Sequence, residues 1–309
     1  MKFIQDWDSD SSEIEVQTSG STGAPKKFMV NKSAMRHSAM ATGKFFGFEQ
    51  DQTILLCMSP AFIGGKMVIV RAKEFGMKVI ACEPNKNPLE VITQNLDFAA
   101  FVPLQVREIL TNSRTKERYS KIKNVIIGGA QLGKAEFDQL LALHNNSYQT
   151  FGMTETLSHF ALKKISEEND LYQCLQGWEI ESSEGRLLLK ANEVIVEDLL
   201  TNDLVEIVKK GMFRFLGRAD NAINSGGIKL FPERIEQKIG NLLPQRYYIS
   251  KKADEKWGEA VVLVIESVAK LDLEKELRNL LDSKEMPKEI IYLPKFKETG
   301  SGKVIRETF

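Results

Sequence analysis

Between residues 33 and 150, short apolar runs alternate with longer amphipathic stretches, and this alternation leaves few folds open to the chain. The spacing predicts a helix over 33–46, opened by Asn31 or Ser33 and closed before Gly47. Buried strands are expected at 54–58 and 78–81, with an apolar helical segment through Arg71 between them. A strand at 98–102, a helix over 104–114, a strand at 123–127, a helix over 134–143 and a strand at 147–150 continue the series. Such a series specifies an α/β fold, a layered α/β sheet domain whose active residues sit in loops at strand ends. From Trp178 to about Phe215 the pattern turns to strands alone, at 185–189, 193–196 and 204–208, a β-rich subdomain at about 178–217. After Gly217-Arg218-Ala219-Asp220 come a helix opened by Pro232, strands near 246–250 and 260–266, a helix over 271–281 and a strand at 289–293. The expected organisation is a large domain over 1–217 and a small α+β C-terminal domain over 218–309.

Residues 18–26 hold the densest chemistry. Thr18, Ser19, Ser21 and Thr22 supply four hydroxyls, Gly20 and Gly23 free the backbone to converge its N–H groups, and Lys26 adds a cation. Those are the donors a polyphosphate requires. The flanks at 14–17 and 27–30 read as strands. The Walker loop runs instead from strand to helix with G-x-x-x-x-G-K-[ST] spacing, which is absent here.

Bulk properties exclude several classes. Lys plus Arg and Asp plus Glu both total 42, so no net field draws the chain to nucleic acid or an anionic membrane surface. No apolar run approaches a membrane span, and the start turns acidic at once, unlike a secretory signal. Cys57, Cys82 and Cys174 are isolated and read as reduced thiols of a cytoplasmic protein. Three histidines make a histidine-rich metal site a poor expectation.

Two further motifs follow the first loop in order. Gly128-Gly129-Ala130 lies between a buried strand and a helix, where glycines let a flat ring approach the backbone. Phe151-Gly152-Met153-Thr154-Glu155 offers an aromatic face, a hydroxyl donor and a hard carboxylate oxygen suited to Mg²⁺. Taken with the loop at Thr18, these motifs resemble the signatures of the acyl-adenylate-forming superfamily of acyl- and aryl-CoA ligases, luciferases and peptide-synthetase adenylation domains. The resemblance covers about residues 14–309. It implies ATP, Mg²⁺ and CoA as cosubstrates or cofactors and a small-molecule carboxylic acid as substrate.

The resemblance also assigns roles by position. Phe151 and Gly152 would meet the adenine, Thr154 a phosphate, and Glu155 the metal. Thr201-Asn202-Asp203 resembles the family's Thr-Gly-Asp, so Asp203 would bind the ribose hydroxyls, with Asn202 in a turn-compatible position. Arg218 would contact the nucleotide and Asp220 would be the hinge of a mobile C-terminal domain. Gly226 and Gly227 would let the thiol arm of CoA pass, and Lys303, in Gly300-Ser301-Gly302-Lys303, would be the catalytic lysine of adenylate formation. Phe62, Gly64 and Gly65 mark an acid pocket, with Lys66 and Arg71 as partners for a second substrate carboxylate or as surface charges.

Two departures stand out. No histidine follows Phe62, where the family usually has one, and the phosphate loop begins at Thr18, whereas relatives carry a substantial subdomain before it. That predicts a minimal enzyme or one completed by a second subunit, with a homodimer as the simplest case. Among family branches the chain resembles compact bacterial o-succinylbenzoate–CoA ligases. Another acyl- or aryl-CoA ligase, a carrier-charging adenylation module and a non-catalytic AMP-binding protein remain the alternatives.

Overall fold

The computed structural model describes residues 2–17, 27–143, 145–167, 170–240, 242–298 and 304–309. The chain forms two compact units. One comprises Met1–Glu181, Leu188–Leu199 and Ile207–Arg214, and the other Ser182–Leu187, Leu200–Glu206 and Phe215–Phe309.

In the first unit, helix α1 (Lys2–Asp8) buries Phe3 and Trp7. Strands β1 (Glu13–Gln17) and β2 (Lys27–Asn31) pair antiparallel from Glu13↔Asn31 to Gln17↔Lys27, so both flanks of the hydroxyl-rich loop are strands. Helix α2 (Lys32–Phe46) follows directly; the Asn31 side chain accepts from Ser33 N, and Gly47 ends the helix in the left-handed region.

The alternation predicted from the sequence then appears as β3 (Thr53–Leu56), α3 (Ile63–Phe75), β4 (Lys78–Ala81), β5 (Phe98–Phe101), α4 (Pro103–Thr111), α5 (Ser113–Ser120), β6 (Asn124–Ile127), α6 (Lys134–Leu141) and β7 (Asn146–Met153). The sheet runs β4-β3-β5-β6-β7, all parallel, and continues antiparallel through β8 (Ser158–Lys164) and β9 (Tyr172–Cys174). Helices α4, α5 and α6 cover one face, packing Val106, Ile109, Tyr119 and Leu140 against Leu55, Phe101, Val125 and Ile127. On the other face Phe46 and Phe48 pack on Phe98. Burial on both faces explains why β5 and β6 read as unbroken apolar runs. Close approach of α2 and α3 depends on Gly43, where a Cβ would sit 2.1 Å from the Phe75 ring.

Several expectations need correction. The helix expected over 104–114 is two helices, broken where Asn112 turns extended and its side chain accepts from Arg114 N. No strand forms at 193–196, because Asn192 Oδ1 accepts from Val194 N and Ile195 N and draws them into a turn. Strands β8 and β9 were not expected, and β7 extends to Met153, so Phe151 and Gly152 lie within a strand.

Strands β10 (Ile180–Ser183), β11 (Arg186–Leu189), β12 (Leu199–Lys209) and β13 (Met212–Arg218) make up the β-rich stretch, and residues of β12 and β13 belong to both units. The second unit adds β14 (Ile223–Ser225), β15 (Ile228–Leu230), α7 (Pro232–Ile239), β16 (Tyr247–Asp254), β17 (Gly258–Glu266), α8 (Glu274–Leu280) and β18 (Glu289–Leu293). Its sheet runs β15-β14-β17-β16, with β18 parallel to β17. Ile235 and Ile239 of α7 and Leu277 of α8 close one face over Ile249, Val261, Leu263 and Ile265.

Candidate active site

Parallel strands in register bring loops distant in sequence to one sheet edge. Ile54 pairs with Phe98, Phe101 with Ile127, and Ile127 with Gln149. The carboxyl ends of β3, β5, β6 and β7 therefore share an edge, the usual location of ligand sites in such sheets. The loop that ends at Phe62 follows β3, the Gly128-Gly129-Ala130 turn follows β6, and Thr154 and Glu155 follow β7.

Local packing explains the residues at each position. Gly128 N donates to Phe101 O at 3.0 Å, and a Cβ on Gly128 would lie 2.5 Å from Thr150 Oγ1. Gly129 sits at φ +90°, beyond the reach of most side chains, while Ala130 is exposed in the same turn. A bulge between Phe151 and Gly152 sets β7 against the start of β8. There Thr156, fully buried, accepts from Met153 N and donates toward Ser158 O, and Leu157 N closes a turn on Thr154 O. Leu157 is held at φ +58°. This tight turn leaves Glu155 exposed and Thr154 half-buried. The Phe151 ring stands edge-on to Phe160, Tyr172 and Phe213.

After β3, Phe62 caps α3 and is 42% exposed. Gly65 serves packing, since a Cβ there would meet Ser59 O at 2.4 Å; Gly64 has ordinary room beside Met58. Lys66 and Arg71 are not surface charges. Lys66 donates to Glu15 O at 2.6 Å and lies over the Phe3 ring. Arg71 is 1% exposed, its Nη2 donates to Ser158 Oγ at 2.9 Å, its Nε has no partner, and no carboxylate among the described residues pairs with it. Burial pushes its guanidinium down to about 9.

In the second unit, Asp203 is buried within β12, so Thr201-Asn202-Asp203 is extended strand and not a turn. Arg218 Nη1 lies 3.5 Å from Asp203 Oδ1, and its Nη2 donates to Asp220 Oδ2 at 3.0 Å. Asn202 Nδ2 also donates to Asp220. The three predicted nucleotide and hinge residues thus form one cluster. Gly226 and Gly227, at φ +57° and +78°, form the β14–β15 turn, and Gly226 N donates to Trp257 O. Thr18, Ser19, Gly20, Ser21, Thr22, Gly23, Lys26 and Lys303 lie outside the described residues.

Among the described residues no three His, Cys, Asp or Glu side chains gather as a metal cage. An exposed single carboxylate at Glu155 fits the way Mg²⁺ is held beside phosphates, by one or two protein oxygens. No helix among the described residues is long and apolar enough to cross a membrane. Sequence reasoning missed the buried Thr42 and His159 and the half-buried Ser158 that accompany Arg71; no sequence signal links Thr42 to His159, 117 residues apart.

The sheet edge and its motifs define a nucleotide-binding enzyme of the adenylate-forming kind, and comparison with known proteins places it. The chain belongs to the AMP-binding enzyme family, which matches residues 16–213. It is 27% identical to a 2-succinylbenzoate–CoA ligase of Listeria monocytogenes serotype 4b, over 98% of this chain and 71% of that protein. A solved acyl-CoA synthetase (AMP-forming)/AMP-acid ligase II-like protein from Dyadobacter fermentans is 34% identical, covering 98% of this chain and 90% of that one, with a TM-score of 0.69. The o-succinylbenzoate coenzyme A synthetase from Bacillus subtilis, solved with ATP and magnesium ion, shares the fold at a TM-score of 0.79 and 18% identity, over 94% of this chain and 68% of that one.

Proposed function

We propose that this AMP-binding enzyme is an ATP-dependent acid–CoA ligase whose substrate is o-succinylbenzoate, activated at its succinyl carboxylate. The observation that carries the reading is the shared edge of β6 and β7, where the Gly128-Gly129 turn abuts Thr150 of the strand that leads to Thr154 and Glu155. Family membership and the relatives named as 2-succinylbenzoate–CoA ligases support it.

In the first half-reaction the acid carboxylate attacks the α-phosphorus of ATP; an O–P bond forms and the α–β bond breaks to release pyrophosphate. Gly128, Gly129 and Ala130 admit the adenine, with Phe151 behind it. Asp203 accepts from the ribose hydroxyls while Arg218 holds that carboxylate in place. Thr154 donates to a phosphate oxygen, and Glu155 holds Mg²⁺, which supplies charge neutralisation at the phosphates. The hydroxyls of Thr18, Ser19, Ser21 and Thr22, the backbone of Gly20 and Gly23, and Lys26 cradle the leaving pyrophosphate. Lys303 stabilises charge at the reacting phosphorus. In the second half-reaction the CoA thiol gives up its proton to solvent and attacks the acyl carbon; a C–S bond forms, the C–O bond breaks, and AMP leaves. The C-terminal domain turns about Asp220 between the two, and Gly226 and Gly227 pass the thiol arm.

Phe62 and Gly64 supply the apolar wall for the aromatic ring. Lys66 is spent on the Glu15 carbonyl, and Arg71 is sealed from solvent against Ser158, so neither cation faces the second carboxylate. The enzyme acts on small molecules in the cytoplasm, and a homodimer is the expected assembly. A competition assay of kcat/KM for o-succinylbenzoate against benzoate, cinnamate and medium-chain fatty acids tests the substrate. Preference for o-succinylbenzoate is expected; preference for a monocarboxylate overturns that assignment and leaves the ligase chemistry intact.

A further inference from the structure

The helices and strand behind the site meet at one buried polar chain. Arg71 on α3, His159 on β8, and Thr42 and Ser38 on α2 are buried, and Ser158 on β8 is half-buried. Arg71 Nη2 lies 2.9 Å from Ser158 Oγ, Ser158 Oγ 3.2 Å from His159 Nδ1, His159 Nε2 3.2 Å from Thr42 Oγ1, and Thr42 Oγ1 3.2 Å from Ser38 O.

Each hydroxyl has one proton, which fixes the direction of the chain. Ser38 O is only an acceptor, so Thr42 donates to it and accepts from the His159 Nε2–H. His159 Nδ1 is then the acceptor, Ser158 donates to it, and the free lone pair of Ser158 takes the Arg71 N–H. The imidazole is neutral with its proton on Nε2. Burial, and then the charge of Arg71, favour the same neutral state.

The position of the chain gives it a function. Helix α3 follows the loop that ends at Phe62, β8 follows the Thr154–Leu157 turn, and α2 packs on both α3 and β8. The His159 backbone is also pressed against β7, where a Cβ on Gly152 would lie 2.5 Å from His159 Cα. We propose that His159 is a positioning residue, the centre of a directed Arg71–Ser158–His159–Thr42 relay that locks the supports of two substrate-facing segments, the loop before α3 and the Thr154–Leu157 turn, in one register. This rests on the ligase reading for what those segments bind, but the relay itself rests on geometry alone.

The test joins a spectroscopic and a kinetic measurement. Long-range ¹H–¹⁵N correlation NMR, with only three histidines to assign, reads the His159 tautomer. Acid-dependent ATP–pyrophosphate exchange is measured for Thr42→Val, which keeps the side-chain shape without the hydroxyl, and for Thr42→Ser, which restores it. The relay predicts a neutral Nε2–H ring at pH 7 in the unmodified protein and a changed ring signature in Thr42→Val. It also predicts that Thr42→Val lowers kcat for exchange about tenfold, with thermal unfolding still cooperative and Thr42→Ser near normal, since small misplacement of positioned groups acts on that scale. An Nδ1–H or cationic ring, or unaltered exchange kinetics in Thr42→Val, overturns the relay. Absence of exchange in the unmodified protein overturns the ligase reading instead, and the tautomer then decides the relay by itself.

Discussion

The Ser158 carbonyl oxygen occupies the space that a Cβ on Gly152 would need, 2.2 Å from its ideal position. Backbone on both sides leaves no flexible side chain to yield. Gly152→Ala is therefore expected to destabilise the fold by about 1–3 kcal/mol, the range for forcing atoms into a packed site. Gly64→Ala, with 3.5 Å to Met58, serves as the control that keeps its stability. Urea unfolding of both variants checks the pair; equal stability would mean that β7 and β8 separate readily here.

Asp203 and Arg218 form an ion pair whose acid is buried and whose base is partly exposed. Asp203→Asn keeps the shape, weakens the pair and removes the charge that accepts from a diol. The expected result is a KM for ATP raised by roughly tenfold, equivalent to about 1.4 kcal/mol, with a smaller change in KM for the acid. Equal effects on both substrates would place Asp203 in a structural role.

Glu155 stands exposed on its turn. Glu155→Gln replaces a hard anionic oxygen with a neutral one and is expected to raise the Mg²⁺ concentration needed for half-maximal exchange by about tenfold or more. A Mg²⁺ titration of exchange rates checks this, and an unchanged midpoint would remove Glu155 from the metal.

His159 carries a pH signature. Burial and then the Arg71 charge hold its folded pKa well below the usual histidine value. Its contribution is complete above the unfolded pKa, near 6.5, and is lost as pH falls toward the folded value, because the unfolded chain takes up the proton first. The slope from this group approaches about 1.4 kcal/mol per pH unit. Denaturation at pH 7.5, 6.5 and 5.5 is expected to show a steeper loss in the unmodified protein than in His159→Gln.

How far the sequence was legible depended on what each residue type faces. Runs such as Phe98-Ala99-Ala100-Phe101 and Val125-Ile126-Ile127 are buried on both faces, so apolarity alone located them. Ser158 and His159 open β8 with polar side chains whose partners lie on distant helices, which disguised a strand as loop. Glu193-Val194-Ile195-Val196 misled in the opposite sense: Val196 is 94% exposed, and a single Asn192 carbonyl diverts the amides from a ladder. Arg71 resembled a surface charge because sequence alone cannot show that a cation will be buried with a serine and no carboxylate. At the site, chain order revealed the Gly128-Gly129 and Thr154-Glu155 motifs, while their common edge required the register of β6 and β7.

The most direct test of the ligase account is ATP–pyrophosphate exchange measured with acid but without CoA. Formation of a free acyl-adenylate before thiol attack predicts exchange that depends on o-succinylbenzoate and Mg²⁺, proceeds without CoA, and is lost in Lys303→Ala. Transfer from preformed acyl-AMP to CoA is expected to survive that substitution. Exchange that requires CoA, or no acid-dependent exchange at all, would contradict the account.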